Sequence, residues 1–349
     1  MDAADLDLLN GFQRDFPLTS EPFRVIAGQL GRSESEVLTA LRRLQADGKI
    51  SRVGAVFATR KLGVSTLAAL AVPAMRLETV AALVNAYPEV NHNYQREHAF
   101  NLWFVLTAAL SARLQMILAE IREQTSLPLL DLPLLEAFHI DLGFDLRHGE
   151  RKLPVAEPQT AQQTAPVLLS TLDRHLLAAL QPGLSLVSRP YLALAQSLGC
   201  SERAVLARLR GWLQQGIIKR VGVIVRHREL GYRANAMVVW DIPDAQVSAV
   251  GRALAVEAGV NLCYRRPRRL PDWPYNLFCM MHGRERDEVL AQIDALRARH
   301  RLATCPHAAL FSTRCFRQRG AWYLPAAVAG SEIREHRRAA HCEAVAWTS

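Results

Sequence analysis

The chain has 349 residues, 50% of them hydrophobic and 21% charged, a composition that excludes a disordered polymer and leaves length for about two domains. No apolar run approaches the ~20 residues of a membrane-spanning helix, and the acidic start Met1-Asp-Ala-Ala-Asp-Leu-Asp7 lacks the basic segment and apolar core of a secretory leader, so a cytoplasmic protein is expected. Charge is uneven: residues 1–168 hold 16 Lys and Arg against 19 Asp and Glu, a balance of −3, whereas residues 169–349 hold 26 against 14, a balance of +12.

The first strong signal along the chain is a helix start at Pro22, with Phe23, Ile26, Ala27 and Leu30 on one face and Gly31 as its stop. Ser33-Glu-Ser-Glu36 then fits a capping box, and Val37, Leu38, Leu41 and Leu44 continue as an apolar stripe until Gly48. This is helix-turn-helix spacing. After Gly48 the run Ile50-Ser-Arg-Val-Gly-Ala-Val-Phe57 turns β-like and predicts a small wing. Strand Leu67–Val72, helix Leu77–Tyr87, a hairpin of Asn91–Arg96 with Asn101–Thr107, helix Leu110–Glu123 and a closing strand near Leu135–Ile140 complete a βαββαβ order, which is the ferredoxin-like arrangement.

Sliding the chain by 168 residues repeats this plan. Gly31-Arg-Ser-Glu lies over Gly199-Cys-Ser-Glu, Arg52-Val-Gly54 over Arg220-Val-Gly222, and Leu62-Gly63 over Leu230-Gly231. Between residues 31 and 63 that single offset gives 15 identities in 33 positions. The chain is a tandem duplication. The second βαββαβ order runs through strand Ala236–Trp240, helix Ala245–Glu257, hairpin Asn261–Arg266 with Asn276–Met281, helix Glu285–Arg299 and strand Ala308–Thr313. The expected fold class is α+β, with winged helix-turn-helix segments at 1–60 and 169–228 and ferredoxin-like domains at 61–150 and 229–324. A Pro-, Gln- and Ala-rich linker is expected at 151–168 and a loosely ordered tail at 325–349.

Positive charge is carried by arginine, with only four lysines. The planar guanidinium grips carboxylate or phosphate with two hydrogen bonds, so an anionic partner is one reading and codon bias the other. All six cysteines lie in the second half without a C-x-x-C pair, so they read as core or bystander residues rather than disulfides or a zinc site. On a strand, positions 92, 94, 96 and 98 face one way, which sets His92, Tyr94, Arg96 and His98 in a row: proton donors beside a carboxylate anchor. Copy 2 has Leu262 at the place of His92 but keeps Tyr264 and Arg266 and adds Arg265. This suggests chemistry in one half and carboxylate binding in the other, with a single competent site per chain. Trp103 and Trp273 read as core or pocket wall, and His282 and His307 as structural or exposed.

The winged helix-turn-helix plus ferredoxin-like plan resembles the Lrp/AsnC regulators. Their DNA-binding function is the alternative reading, although Glu34 and Glu36 sit where DNA would approach. More specifically, Asn91-His-Asn-Tyr-Gln-Arg-Glu-His98 with Asn101-Leu-Trp-Phe104, Asp272-Trp-Pro-Tyr-Asn-Leu-Phe278, and Leu310-Phe-Ser-Thr-Arg-Cys-Phe-Arg-Gln-Arg-Gly320 resemble the sirohaem decarboxylases over about residues 5–145 and 170–323. Members of that family occur as two homologous subunits, and the duplication resembles their fused form. The resemblance implies conversion of sirohaem to didecarboxysirohaem by loss of CO2 from two ring acetates in haem d1 synthesis. Further homologous subunits or self-association, no membrane and no cofactor beyond the substrate's own iron are expected with it. A non-catalytic sirohaem-binding subunit is a third reading. The expected catalytic residues are His92, His98 and Tyr94, with His92 as general acid and an axial contact to the iron as the rival role for either histidine. The expected substrate contacts are Arg52, Arg96, Arg220, Tyr264, Arg265, Arg266, Trp273 and Asn276. No residue is expected to hold a metal.

Overall fold

The computed structural model describes residues 2–140, 146, 159–160, 167, 169–321 and 323. Most of the expected linker, and all of the expected tail at 325–349, lie outside the described residues. Copy 1 runs α1 (Ala3–Gly11), α2 (Pro22–Leu30), α3 (Glu34–Ala46), β1 (Ile50–Phe57), the single turn α4 (Thr59–Leu62), β2 (Val64–Leu70), α5 (Leu77–Ala86), β3 (Val90–Arg96), β4 (Leu102–Ala108), α6 (Ser111–Thr125), β5 (Leu129–Pro133) and β6 (Glu136–Ile140). After the two-residue β7 (Gln159–Thr160), copy 2 runs α7 (Thr171–Leu180), α8 (Pro190–Leu198), α9 (Glu202–Gln214), β8 (Ile218–Val225), β9 (Ala234–Trp240), α10 (Val247–Ala255), β10 (Val260–Arg265), β11 (Leu277–Gly283), α11 (Arg286–Arg299) and β12 (His307–Gln318). Among the described residues no helix is long and apolar enough to cross a membrane.

The local signals act where the sequence places them. Pro22 opens α2, and Gly31 closes it in the left-handed region at φ 63°. The Ser33 side chain accepts from the Glu36 amide, while the Glu36 carboxylate accepts from the Ser33 amide at 2.8 Å, so the capping box is complete. The sequence reading missed one helix in each copy. α1 and α7 precede the helix-turn-helix and carry Leu8, Leu9, Leu176 and Leu177 into the core.

The copies do not fold side by side. Among the described residues two compact units each draw on both copies: residues 2–62 with 167–225 and 320–323, and residues 63–140 with 226–319. In the first unit the expected wings are not separate hairpins. Each copy supplies one strand, and β1 pairs antiparallel with β8 about Gly54 opposite Gly222. A lone strand would leave its backbone groups unpaired, and the duplicate provides the missing ladder. The helices are tied across the same pseudo-twofold relation. Arg42 on α3 donates to the Leu186 carbonyl, and its counterpart Arg210 on α9 donates to the Leu18 carbonyl, both at 2.6 Å. Arg43 grips Asp5 with two 2.7 Å hydrogen bonds.

Gly222 sits where a Cβ would drive into the backbone carbonyl of Gln13, whereas a Cβ on Gly54 would meet the Gly183 Cα at 3.1 Å. Gly222→Ala should therefore destabilise this unit by about 1–3 kcal/mol, the usual cost of forcing a methyl into a packed site. Gly54→Ala should cost less. Thermal melts of the two variants check the ranking.

In the second unit ten strands form one ladder in the order β5-β2-β4-β3-β12-β9-β11-β10-β6-β7. The helices of each copy cover one face. Val80, Val84, Ile117 and Ile121 bury against Phe104 and Leu106 in copy 1, and Val247, Leu254 and Ile293 against Cys263 and Met281 in copy 2. The opposite faces share a third core in which Trp103, Leu130 and Leu132 of copy 1 meet Met237, Trp273, Phe278 and Leu310 of copy 2.

The closing strand expected near Leu135–Ile140 proves to be two. β5 completes the βαββαβ order on β2, and β6 crosses to β10 of the other copy. Its counterpart β12 does both tasks without a break. His307–Phe311 pair with β9, and Ser312–Gln318 pair with β3 of copy 1. Copy 1 interrupts the same path at Pro133, a residue with no amide hydrogen to continue the ladder.

Candidate active site

The strand exchange brings β12 of copy 2 beside β3 of copy 1, with Cys315 opposite Tyr94, Gln318 opposite His92 and Ser312 opposite Arg96. Along β3 the period of two sends Asn93 to the helix-covered face, where its amide donates to the Ala81 carbonyl and the Asn85 side chain. His92, Tyr94 and Arg96 take the other face together. The His92 and Tyr94 rings stack at 6.2 Å and 14°, and the Arg96 guanidinium lies 5.8 Å from the centre of the Tyr94 ring.

Arg96 is buried, with 7% of its surface exposed. It donates to the Leu310 carbonyl at 2.9 Å and to the Asn235 side-chain oxygen at 3.3 Å, and among the described residues no carboxylate pairs with it. Burial lowers its pKa to about 10, so the group remains a cation at neutral pH. A buried cation held only by neutral acceptors is costly unless an anion arrives. Burial also raises the Tyr94 pKa, helped by its hydrogen bond to Cys315, so Tyr94 stays a protonated phenol.

His98 does not belong to the row. β3 ends at Arg96, the alternation stops there, and His98 stands in the turn. Its Nδ1 accepts the Phe100 amide at 3.0 Å, its ring meets Trp273 edge-on at 5.2 Å, and burial lowers its pKa. A ring so held is a neutral packing element, which corrects its expected place beside His92. Trp273 is wholly buried against Trp103, Tyr275 and Phe278, a core residue rather than an open substrate contact. Asn276 is likewise engaged by backbone: its oxygen accepts the Ile242 amide, and its amide donates to the Ile242 carbonyl and to Asp244. Asn101 makes the same clamp on Val72 in copy 1.

The second copy's equivalent row is poorer in chemistry. Arg266 lies over the Tyr264 ring at 5.4 Å and donates to the Leu132 carbonyl, mirroring Arg96 on Leu310. Opposite Tyr264, however, stands Ala137 rather than a thiol, and Leu262 replaces His92. Arg265 is 3.8 Å from Asp244. Arg52 and Arg220 belong to the helix-turn-helix unit. Arg52 is tucked by burial beside Gly183 and Gly320 and donates to the Ala55 carbonyl, and Arg220 donates to the Gln13 carbonyl.

Three residues of the β3 site escaped the sequence reading. Burial raises the Cys315 pKa, and Arg228 and Arg226 are near enough to oppose that rise in part; Arg226 also acts on Tyr94. The Nε of Arg226 is buried without a hydrogen-bond partner among the described residues. Cys315 is exposed, opposite Tyr94, and so is not a core residue. Cys315 comes to β3 by the exchange of β12, and Arg228, between β8 and β9, donates to the Thr313 carbonyl of that strand; the sole hint to Cys315 in the sequence is the basic run around it.

A duplicated helix-turn-helix and a sheet shared between the copies, with a cationic, aromatic face, define a relative of the AsnC architecture. Residues 61–139 and 229–317 match the AsnC-like ligand binding domain, and residues 5–50 and 173–219 match the Siroheme decarboxylase NirDL-like HTH domain. The Siroheme decarboxylase NirDL subunit of Paracoccus denitrificans is 49% identical over 92% of this chain and 97% of its own. The crystal structure of the siroheme decarboxylase NirDL matches 97% of this chain and 99% of that one at 29% identity, with a TM-score of 0.68. Its complex with an iron-uroporphyrin III analogue matches 95% and 98% at 28% identity, with a TM-score of 0.67. The chain belongs to the sirohaem decarboxylase family.

Proposed function

We propose that this protein is a carboxy-lyase that converts sirohaem to didecarboxysirohaem, a step toward haem d1, and that the β3 face of copy 1 carries the reaction. The observation that carries this reading is Arg96, a buried guanidinium without a carboxylate partner among the described residues, on one strand face with Tyr94 and His92. Sirohaem is a flat apolar ring with carboxylates around its rim. Arg96, with Arg226 beside Tyr94, supplies the anchors, and the aromatic rings supply apolar surface. A held acetate then loses CO2: the bond between its methylene and carboxylate carbons breaks, and the electron pair stays on the methylene carbon, delocalised into the macrocycle. His92 delivers the proton that makes the methyl group and recovers one from water. Repetition at the second acetate completes the product, with no cofactor besides the substrate's own iron. Homologous subunits or a second copy of the chain are the proposed protein partners.

The regulator alternative finds less support. The arginines that a DNA-reading α3 would turn to phosphate are engaged within the protein, Arg42 on the Leu186 carbonyl and Arg43 on Asp5. Anaerobic incubation of the purified chain with sirohaem, followed by mass spectrometry, tests the proposal. Products lighter by one and then two CO2 units are expected. Pigment bound but unchanged would leave a carrier, and sequence-specific DNA retardation without pigment uptake would restore the regulator.

A further inference from the structure

Arg96 is the start of a hydrogen-bonded chain that crosses into copy 2. Its Nη2 donates to the Asn235 side-chain oxygen at 3.3 Å, the Asn235 amide lies 2.7 Å from His282 Nε2, and His282 Nδ1 lies 2.8 Å from the Asn261 side-chain oxygen. Arginine can only donate, so the direction of every link is fixed from that end. Asn235 must present its oxygen to Arg96 and hence its NH2 to His282. His282 Nε2 must then accept, its proton sits on Nδ1, and Nδ1–H donates to Asn261. The chain is consistent only with a neutral His282.

The matching place in copy 1 is built differently. Asn91, the counterpart of Asn261, donates to the Thr107 hydroxyl at 2.6 Å, and Thr107 donates to Ser65 at 3.1 Å. Thr107 and Ser65 pair across β4 and β2 as His282 and Asn235 pair across β11 and β9. Two small hydroxyls in one copy are thus an imidazole and a carboxamide in the other, and the longer pair reaches the guanidinium of the chemically equipped strand.

We infer that Asn235 and His282 are positioning residues for the decarboxylation: an uncharged relay that fixes Arg96 by its hydrogen bonds while leaving its positive charge for a substrate carboxylate. A carboxylate at position 235 would hold the guanidinium more firmly and silence it. The inference rests on the proposed function, and it differs from a merely structural role in the sign of one substitution. Asn235→Asp changes no volume and gives Arg96 an ion-pair partner, so a structural role would be strengthened by it. The relay predicts a KM for sirohaem raised at least ~10-fold, the scale of one charge-assisted hydrogen bond, with kcat within about twofold and an unchanged or higher melting temperature. His282→Leu should raise KM similarly, and His282→Gln, which keeps one donor and one acceptor, should bring it back to within about threefold of the parent. An Asn235→Asp protein that processes sirohaem with an unaltered KM overturns the relay, as do Leu and Gln variants at 282 that behave alike. A substrate-free readout separates this from failure of the functional reading. In 15N-histidine NMR spectra of the resting protein, the signal lost in His282→Gln should be a neutral ring protonated at Nδ1; an Nε2–H or doubly protonated ring there overturns the relay whatever the substrate proves to be.

Discussion

His92→Ala should bind sirohaem as the parent does yet turn it over at least ~100-fold more slowly, the scale expected for removal of a general acid. The imidazole lies near-parallel to the Tyr94 ring, 6.2 Å between centres, on the only one of the two equivalent strands that carries a histidine at this place, because copy 2 has Leu262 there. Tyr94 beside it cannot take over, since burial and the Cys315 hydrogen bond hold its phenol above its ordinary pKa and make it a weaker acid. Ring stacking contributes little to pigment affinity compared with the arginine anchors, so binding and turnover should separate. Stopped-flow spectra under anaerobic conditions give both quantities from one sample. Parent-like turnover in His92→Ala would remove the imidazole from the proton transfer.

The Arg96→Met variant should show the opposite pattern, with sirohaem bound roughly 10–100-fold more weakly and the fold little affected. Loss of a charge-assisted hydrogen bond to a buried carboxylate costs about 1.5–3 kcal/mol, which sets that range. Stability responds to two opposed effects. The Leu310 carbonyl and the Asn235 oxygen lose a donor, at about 1–3 kcal/mol for a group left unmatched, but the chain no longer buries a cation without a carboxylate beside it. These effects nearly cancel. Pigment titration together with a thermal melt tests the pair of expectations; a variant that melts far below the parent but binds sirohaem normally would make Arg96 a strut rather than an anchor.

The sequence showed the duplication and most elements because those signals are local: Pro22 and Gly31 bound α2, Ser33 and Glu36 cap α3, and apolar periods mark the helices over the sheet. α1 was missed because Ala3–Gly11 is one short apolar cluster without a recurring stripe. What the sequence could not show is which strand pairs with which. The β-like runs at Ile50 and Ile218 were legible, but their partnership spans the whole repeat. The crossings of β6 and β12 into the opposite copies are equally non-local.

The same division holds at the site. The row His92, Tyr94, Arg96 follows from the strand period alone, and His98 fell out of it only because β3 stops two residues earlier. Arg226, Asn235, His282 and Cys315 carry no pattern connecting them to that row. They arrive by strand exchange, and their relevance becomes visible only when the copies are folded together.

A crystal structure of this chain with sirohaem bound would probe the central claim most directly. A rim carboxylate within roughly 2.7–3.2 Å of the Arg96 guanidinium, with the His92 ring over a reacting acetate, is the expected result. A macrocycle seated elsewhere, with Arg96 still bonded only to Leu310 and Asn235, would contradict it.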